Sequence, residues 1–132
     1  MTTTAKKKKR LEKEANRLWQ LAVIKKYGKL CEVDGRSGGP PHHFYAKGSY
    51  GHMKFLIENG IVLCLACHYS LHFTQRRTQI EEIIKRKRGQ DWADKMFAIS
   101  KEKHESFRTI KYFEDTIKRL KNEISTSQDL TS

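Results

Sequence analysis

Five residues of this 132-residue chain have the types and spacings for shared chemistry: His42, His43, Asn59, His68 and His72. His68 and His72 are four apart. On a helix that spacing puts both imidazoles on one face, about 5–6 Å apart at Cβ, so both can reach one ion. His42 and His43 are adjacent, and on a strand adjacent side chains point to opposite faces. The two therefore divide the work: one can bind metal while its neighbour faces a substrate. Metal ligation needs neutral imidazole, which the ordinary histidine pKa of about 6.5 supplies at pH 7. Taken singly, each histidine reads as an ordinary surface or core residue. Taken together with Asn59, they suit hydrolysis of a phosphodiester. That reaction needs a water made nucleophilic, which a histidine near its ordinary pKa can do. It also needs the departing 3′-oxygen stabilised, which a single divalent ion can do. An amide side chain or a backbone carbonyl can fix which ring nitrogen carries the proton.

The elements that must position these residues follow from pattern. Leu11, Ala15, Leu18, Trp19, Ala22 and Val23 recur at helical spacing over 5–27, with the lysines on the other face and Gly28 as the stop. DGRSGGPP, 34–41, is a loop. His42-His43-Phe44-Tyr45 is a short strand, and 46–54 a second irregular stretch. Glu58-Asn59-Gly60 reads as a hairpin turn, because Asn and Gly tolerate positive φ. Ile61-Val62-Leu63 is the second strand, and a helix follows from Ala66 to His72. Thr78 and Asp91 are candidate caps for two further helices separated by Gly89. A last helix begins near Thr109, and its seam Ile110, Phe113, Ile117, Leu120 and Ile124 suits core packing or pairing with a second copy of the chain. The fold class expected is α+β: a small two-stranded hairpin and helix with helices before and after it. The expected divisions are a basic helical arm over 1–30, the core over 31–75, a helical region over 76–125 and a disordered tail over 126–132.

The stretch CEVDG…HHFYAKG…ENGIVLCLACHYSLH, residues 31–72, resembles the motif of the HNH (ββα-metal, His-Me finger) endonucleases. The spacing His-His…Asn-x8-His-x3-His is especially similar to that of the colicin-type DNases. The resemblance implies that His43 activates water and Asn59 orients it, while His42, His68 and His72 bind one divalent cation (Mg2+, Mn2+, Ni2+ or Zn2+). Many HNH proteins also carry two Cys-x-x-Cys pairs around a structural zinc. Here Cys64 and Cys67 supply one pair, and Cys31 with Asp34 the other, aspartate replacing a cysteine. Zinc accepts carboxylate oxygen, so a site of three thiolates and a carboxylate is chemically sound; the alternative is three buried small hydrophobes. The run RKRGQDWADKMFAI and the helix after it are loosely similar to the tail of the NinG-type recombination proteins of lambdoid phages, which implies branched DNA as substrate.

Charge points to the partner. The net charge is +12. Residues 1–30 carry +8 and 73–88 carry +4, while 31–72 and 89–132 are neutral. The excess thus flanks the histidine-rich segment, and a polyanion held by the flanks would lie across it. Lys6, Lys7, Lys8, Lys9, Arg10, Arg76, Arg77, Lys85, Arg86, Lys87 and Arg88 are the expected phosphate contacts, with Lys47 and Lys54 closer in. Tyr45 and Tyr50 interleave with those two lysines and suit either base contacts or packing. His52 reads as a plain loop residue and His104 as an exposed one. No apolar run approaches a membrane span, no apolar stretch follows MTTTAKKKKR as a secretory signal would require, and three cysteines do not close a disulfide framework. The expected compartment is the cytoplasm (of the host, if phage-encoded). The sequence reading is a metal-dependent DNA endonuclease. Its rivals are a non-catalytic zinc-stabilised nucleic-acid-binding module and a coiled-coil interaction protein.

Overall fold

Helix α1 covers Thr3–Tyr27. Thr2 caps it, its Oγ1 accepting the amide of Ala5 at 3.0 Å, and Gly28 ends it at φ 89°, a conformation that costs glycine nothing. The computed structural model describes residues 2–102 and 108–129. Ala15, Leu18, Trp19, Ala22 and Val23 form the buried face of α1, the stripe its spacing predicts. Strand β1 is His42–His43 and strand β2 is Gly60–Ile61. They pair antiparallel, His42 opposite Ile61 and His43 opposite Gly60. Helices α2 (Leu65–Phe73), α3 (Arg77–Arg88), α4 (Gln90–Ser100) and α5 (Ile110–Asp129) follow. The architecture is α+β and mostly helical, with one two-stranded antiparallel sheet among the described residues.

Two apolar clusters hold the sheet between them. One joins α1 to α5 through Leu18, Trp19, Val23, Phe55, Phe113 and Leu120. The other joins the 31–34 turn and β2 to α2 and α3 through Cys31, Phe44, Ile61, Leu71, Ile80 and Ile84. The α5 seam is therefore taken up by α1 of the same chain: Phe113 and Leu120 are buried, and Ile117 and Ile124 pack against them. A second copy would have to compete for a face already covered. Helix α5 also continues to Asp129, beyond the start of the expected disordered tail at 126. No glycine or proline interrupts it there.

Several local expectations need correction. Glu58-Asn59-Gly60 is no hairpin turn. Ile57–Asn59 is a 3-10 turn that leads into β2, and Gly60 is extended at φ −85°. Residues 44–59 make the whole connection between the strands. Glycine is needed at 60 for space: a Cβ there would lie 2.3 Å from Cγ2 of Val23. The second strand ends at Ile61, because the Val62 and Leu63 carbonyls turn instead to the amides of Glu32 and Gly39. Thr78 lies inside α3, whose N-cap is Arg76, and Asp91 lies in the first turn of α4, whose N-cap is Gly89.

Candidate functional site

Helix α2 carries two sets of chemical groups. Cys64 is its N-cap, the Sγ accepting the amide of Cys67 at 3.5 Å. The helix buries Leu71, and this fixes where the next positions point. His68 and His72 meet edge to face, with ring centroids 4.7 Å apart. His42, delivered by β1, lies flat on His68 at 3.8 Å and edge-on to His72 at 6.4 Å. The three imidazoles expected to share an ion are thus gathered at one place. Burial pushes the His42 pKa down to about 4, and His68, His72 and His43 push the same way. Burial, then His72, lowers that of His68. Both rings are neutral at pH 7, the form that ligates metal. Among the described residues none of the three rings has a hydrogen-bond partner, and no buried side-chain nitrogen lacks one. The nitrogens of His42 and His68 are therefore not sealed from solvent, and His72 is exposed.

His43 points to the other side of β1. Its ring stacks on the Trp19 indole at 4.3 Å and 4° between planes, and its Nε2 lies 2.9 Å from the carbonyl of Lys54. A carbonyl only accepts, so Nε2 carries the proton and donates it, leaving the lone pair on Nδ1. Nδ1 has no partner among the described residues and is not sealed from solvent. Burial holds the His43 pKa below the ordinary range, opposed by the Lys54 hydrogen bond and aided by the charges of Lys47 and Lys54. A neutral imidazole fixed in one tautomer, with an unpartnered nitrogen that is not sealed from solvent, can take a proton from water.

Asn59 does not orient His43 directly. It is fully buried, its Oδ1 accepts the amide of Tyr45 at 2.8 Å, and its Nδ2 donates to the carbonyls of Tyr45 and Met53, both at 3.1 Å. Its carboxamide braces both ends of the 45–53 loop. The next residue, Lys54, presents the carbonyl that His43 uses, so Asn59 acts on His43 through the loop.

The second set lies at the start of α2. Cys31, Asp34, Cys64 and Cys67 offer ligand atoms within 4.8 Å of one another, and among the described residues this is the group that could hold a metal ion; the imidazole trio is not so converged. Gly35, at φ 76°, turns the chain so that Asp34 meets the helix. The turn is closed by Cys31 N to the Arg36 carbonyl at 2.7 Å and Gly35 N to the Cys31 carbonyl at 2.9 Å. The thiols of Cys64 and Cys67 donate to Oδ2 of Asp34 at 3.1 and 3.5 Å. The Arg36 amide and the thiols hold the Asp34 carboxyl well below its usual range. Burial, then the Cys64 and Cys31 thiols, push the Cys67 thiol up. Thiols crowded around a carboxylate resist ionisation by themselves, and a bound cation reverses that.

The basic residues divide. Lys6, Lys7, Lys9, Arg10, Lys47, Arg76, Arg77, Arg86 and Lys87 are exposed, and Lys8 and Lys85 partly so. Arg88 is a correction: its side chain is 4% exposed and pairs with Glu32, itself 3% exposed, at 2.7 Å. Lys54 is also engaged, its ammonium bound to Glu12. Its place in the 45–55 loop, and not the open surface, sets that pairing. His52 bonds the Ile99 carbonyl at 2.8 Å, a packing role, and His104 lies outside the described residues.

Sequence reasoning placed Trp19 in the α1 stripe but missed its stacking on His43, and missed Glu12 and Arg108, which pair beside Lys54. It also missed a second face of α2. Leu65, Tyr69 and Phe73 are exposed at 84%, 59% and 71%, and the two aromatic rings lie 5.1 Å apart. Their spacing of four, one residue out of phase with His68 and His72, is the signal that marks them. No helix is long and apolar enough to cross a membrane among the described residues. No family model, curated protein or solved structure matches the chain.

Proposed function

We propose that this chain is a metal-dependent DNA endonuclease of the HNH type, hydrolysing phosphodiester bonds. The observation that carries the reading is the state of His43: one ring nitrogen committed to the Lys54 carbonyl, the other free, on the strand that also delivers His42 to His68 and His72. His43 takes the proton from the attacking water through Nδ1, and Trp19 and the Lys54 carbonyl keep it aimed. His42, His68 and His72 fit a divalent cation in donor type and proximity, with their nitrogens free of other partners. Such an ion would neutralise charge on the phosphate and the departing oxygen. Cys31, Asp34, Cys64 and Cys67 would hold a structural zinc, their donors already converged. The exposed lysines and arginines of α1 and α3 hold the DNA backbone with little sequence preference, and Tyr69 and Phe73 offer rings on which a base can stack.

One experiment tests this. Supercoiled plasmid and a branched duplex are incubated with the protein and Mg2+, Mn2+, Ni2+ or Zn2+, beside His43→Ala of verified fold. Nicking by the parent and its loss in the variant is expected. Equal nicking by His43→Ala, or no cleavage in any metal, defeats the proposal.

A second reading has its own observation. The thiol set has its donors converged, whereas His42 and His68 lie face to face. A zinc-stabilised nucleic-acid-binding module without catalysis would need only the first. Salt-sensitive DNA binding without cleavage is its signature.

A further inference from the structure

On the side of the sheet facing α1, a cleft of about 330 Å³ opens between Glu12, the loop residues Lys47, Gly48, Gly51 and Lys54, and Arg108 at the approach to α5. Clefts of this size accept small ligands. Its charge is unusual: three cations surround one carboxylate. Glu12 accepts a hydrogen bond from the Lys54 ammonium through Oε1 and meets the Arg108 guanidinium at 3.7 Å through Oε2. The Lys54 side chain is only 20% exposed, so this ammonium is committed to the cleft and does not range over the surface. At Gly48 nothing lies within 4 Å of where a Cβ would sit, leaving that wall open. The cleft lies one residue from the candidate base, because the Lys54 backbone carbonyl is the group His43 bonds.

We propose that this cleft is a subsite for a backbone phosphate of nucleic acid, occupied in the free protein by the Glu12 carboxylate, which the phosphate displaces. The proposal rests on the reading of DNA as partner given above. A phosphodiester carries the same single charge as Glu12 and offers more acceptor oxygens to Lys47, Lys54 and Arg108. Exchange of one anion for the other leaves no cation stranded. It does require Glu12 to give up its ion pairs, so Glu12 lowers affinity for DNA while keeping the empty cleft ordered.

The test measures binding, not cleavage. A short fluorescein-labelled DNA duplex is titrated in EDTA with the full chain, Glu12→Gln and Glu14→Gln. Both variants add the same charge to the protein. Glu14 is two residues further along α1 and pairs with the exposed Arg17 at 2.6 Å, outside the cleft. Glu12→Gln should bind about three- to fivefold more tightly than Glu14→Gln, the scale set by the loss of one partly exposed ion pair. Lys47→Ala and Arg108→Ala should each reduce the slope of log K against log salt by about 0.9. Thermal melts of each variant check the fold. Equal affinity for the two glutamine variants, an unchanged slope in both alanine variants, or no salt-sensitive binding overturns the subsite. Binding as expected without cleavage in any metal leaves the subsite standing and removes only the hydrolase reading. Cleavage with no difference between Glu12→Gln and Glu14→Gln removes only the subsite.

Discussion

Arg88 sits in a run of four basic residues, and its replacement should behave unlike that of its neighbours. Its guanidinium donates to both carboxylate oxygens of Glu32, at 2.8 and 2.7 Å, to the Glu58 carbonyl at 2.9 Å and to the Gly60 carbonyl at 2.6 Å. Its Cζ lies 3.6 Å from the centroid of the Tyr27 ring. Arg88→Ala removes all of this and leaves Glu32 buried with only the Val62 amide, at 3.2 Å, among the partners seen here. A buried carboxylate deprived of its cation costs about 3–5 kcal/mol; the Gly60 carbonyl loses a donor as well, while the Glu58 carbonyl keeps the Trp92 indole N–H at 2.9 Å. Urea denaturation should show a loss in that range, unaffected by salt because the pair is out of solvent. Arg86→Ala and Lys87→Ala, both exposed, should cost less than about 0.5 kcal/mol. The double variant Arg88→Met, Glu32→Leu should recover most of the loss, because no charge is then buried alone. A loss below about 1 kcal/mol for Arg88→Ala, or no recovery in the double variant, would refute the assignment of Arg88 to the core and return it to the surface.

Removal of metal from the thiol set should lower thermal stability: a ligand at a thousandfold excess over its Kd contributes about 4 kcal/mol, and a chelator should therefore shift Tm by roughly 10 °C or more. Asp34→Cys should keep the effect and Cys67→Ser weaken it; an unchanged Tm with no bound metal by elemental analysis would rule the site out. In metal-free protein, His42 has a folded pKa of about 4 against an ordinary 6.5. The unfolded chain takes up the proton first, so the stability this ring contributes is complete above about pH 6.5 and is lost as pH falls toward 4. The full drop corresponds to at most about 3.4 kcal/mol, and solvent around the half-buried ring reduces it to about 1–2 kcal/mol. Chemical denaturation across that range should show a shallower dependence for His42→Gln, and parallel curves would contradict the burial of this ring. Tyr69→Ala and Phe73→Ala should leave stability unchanged, since both rings are exposed, yet each should weaken binding of single-stranded DNA by about 1–3 kcal/mol if bases stack there; unaltered affinity would free the face for another role.

What the sequence made legible was whatever depends on short spacing. The i, i+4 placement of His68 and His72, the apolar stripe of α1 and the α5 seam each lie within one helix, where 3.6 residues per turn decides the face. The opposite orientation of His42 and His43 followed equally from the period of a strand. The misreadings share a different cause. Asn59-Gly60 has the composition of a tight turn, but Gly60 is there because α1 places Val23 against it, and nothing near position 60 announces that. Arg88 is indistinguishable from Arg86 in the run Lys85–Arg88; only the fold brings Glu32 beneath it. The partner of the α5 seam is likewise distant in sequence, so the choice between core and dimer interface could not be made from the seam itself. Asn59 was placed in the right neighbourhood with the wrong contact, because its role passes through the backbone of a loop whose path was not evident.

These long-range contacts give α2 its significance. One helix turn carries Cys64 and Cys67 toward Asp34, the next carries His68 and His72 toward His42, and the remaining face presents Leu65, Tyr69 and Phe73 to solvent. The thiol set joins the start of α2 to the 31–34 turn, while Leu71 packs its inner face among Ile61, Ile80 and Ile84. A metal at Cys31, Asp34, Cys64 and Cys67 would therefore fix the helix against the segment that precedes β1. Since His68 and His72 ride on the same rigid element, their distance from His42 is set by that join as much as by β1 itself. On the opposite side of β1, Trp19 of α1 and the Asn59-braced loop hold His43 by contacts that need no metal. The two halves of the proposed chemistry thus have separate supports, and disruption of the thiol set should disturb the imidazole trio while leaving the tautomer of His43 intact.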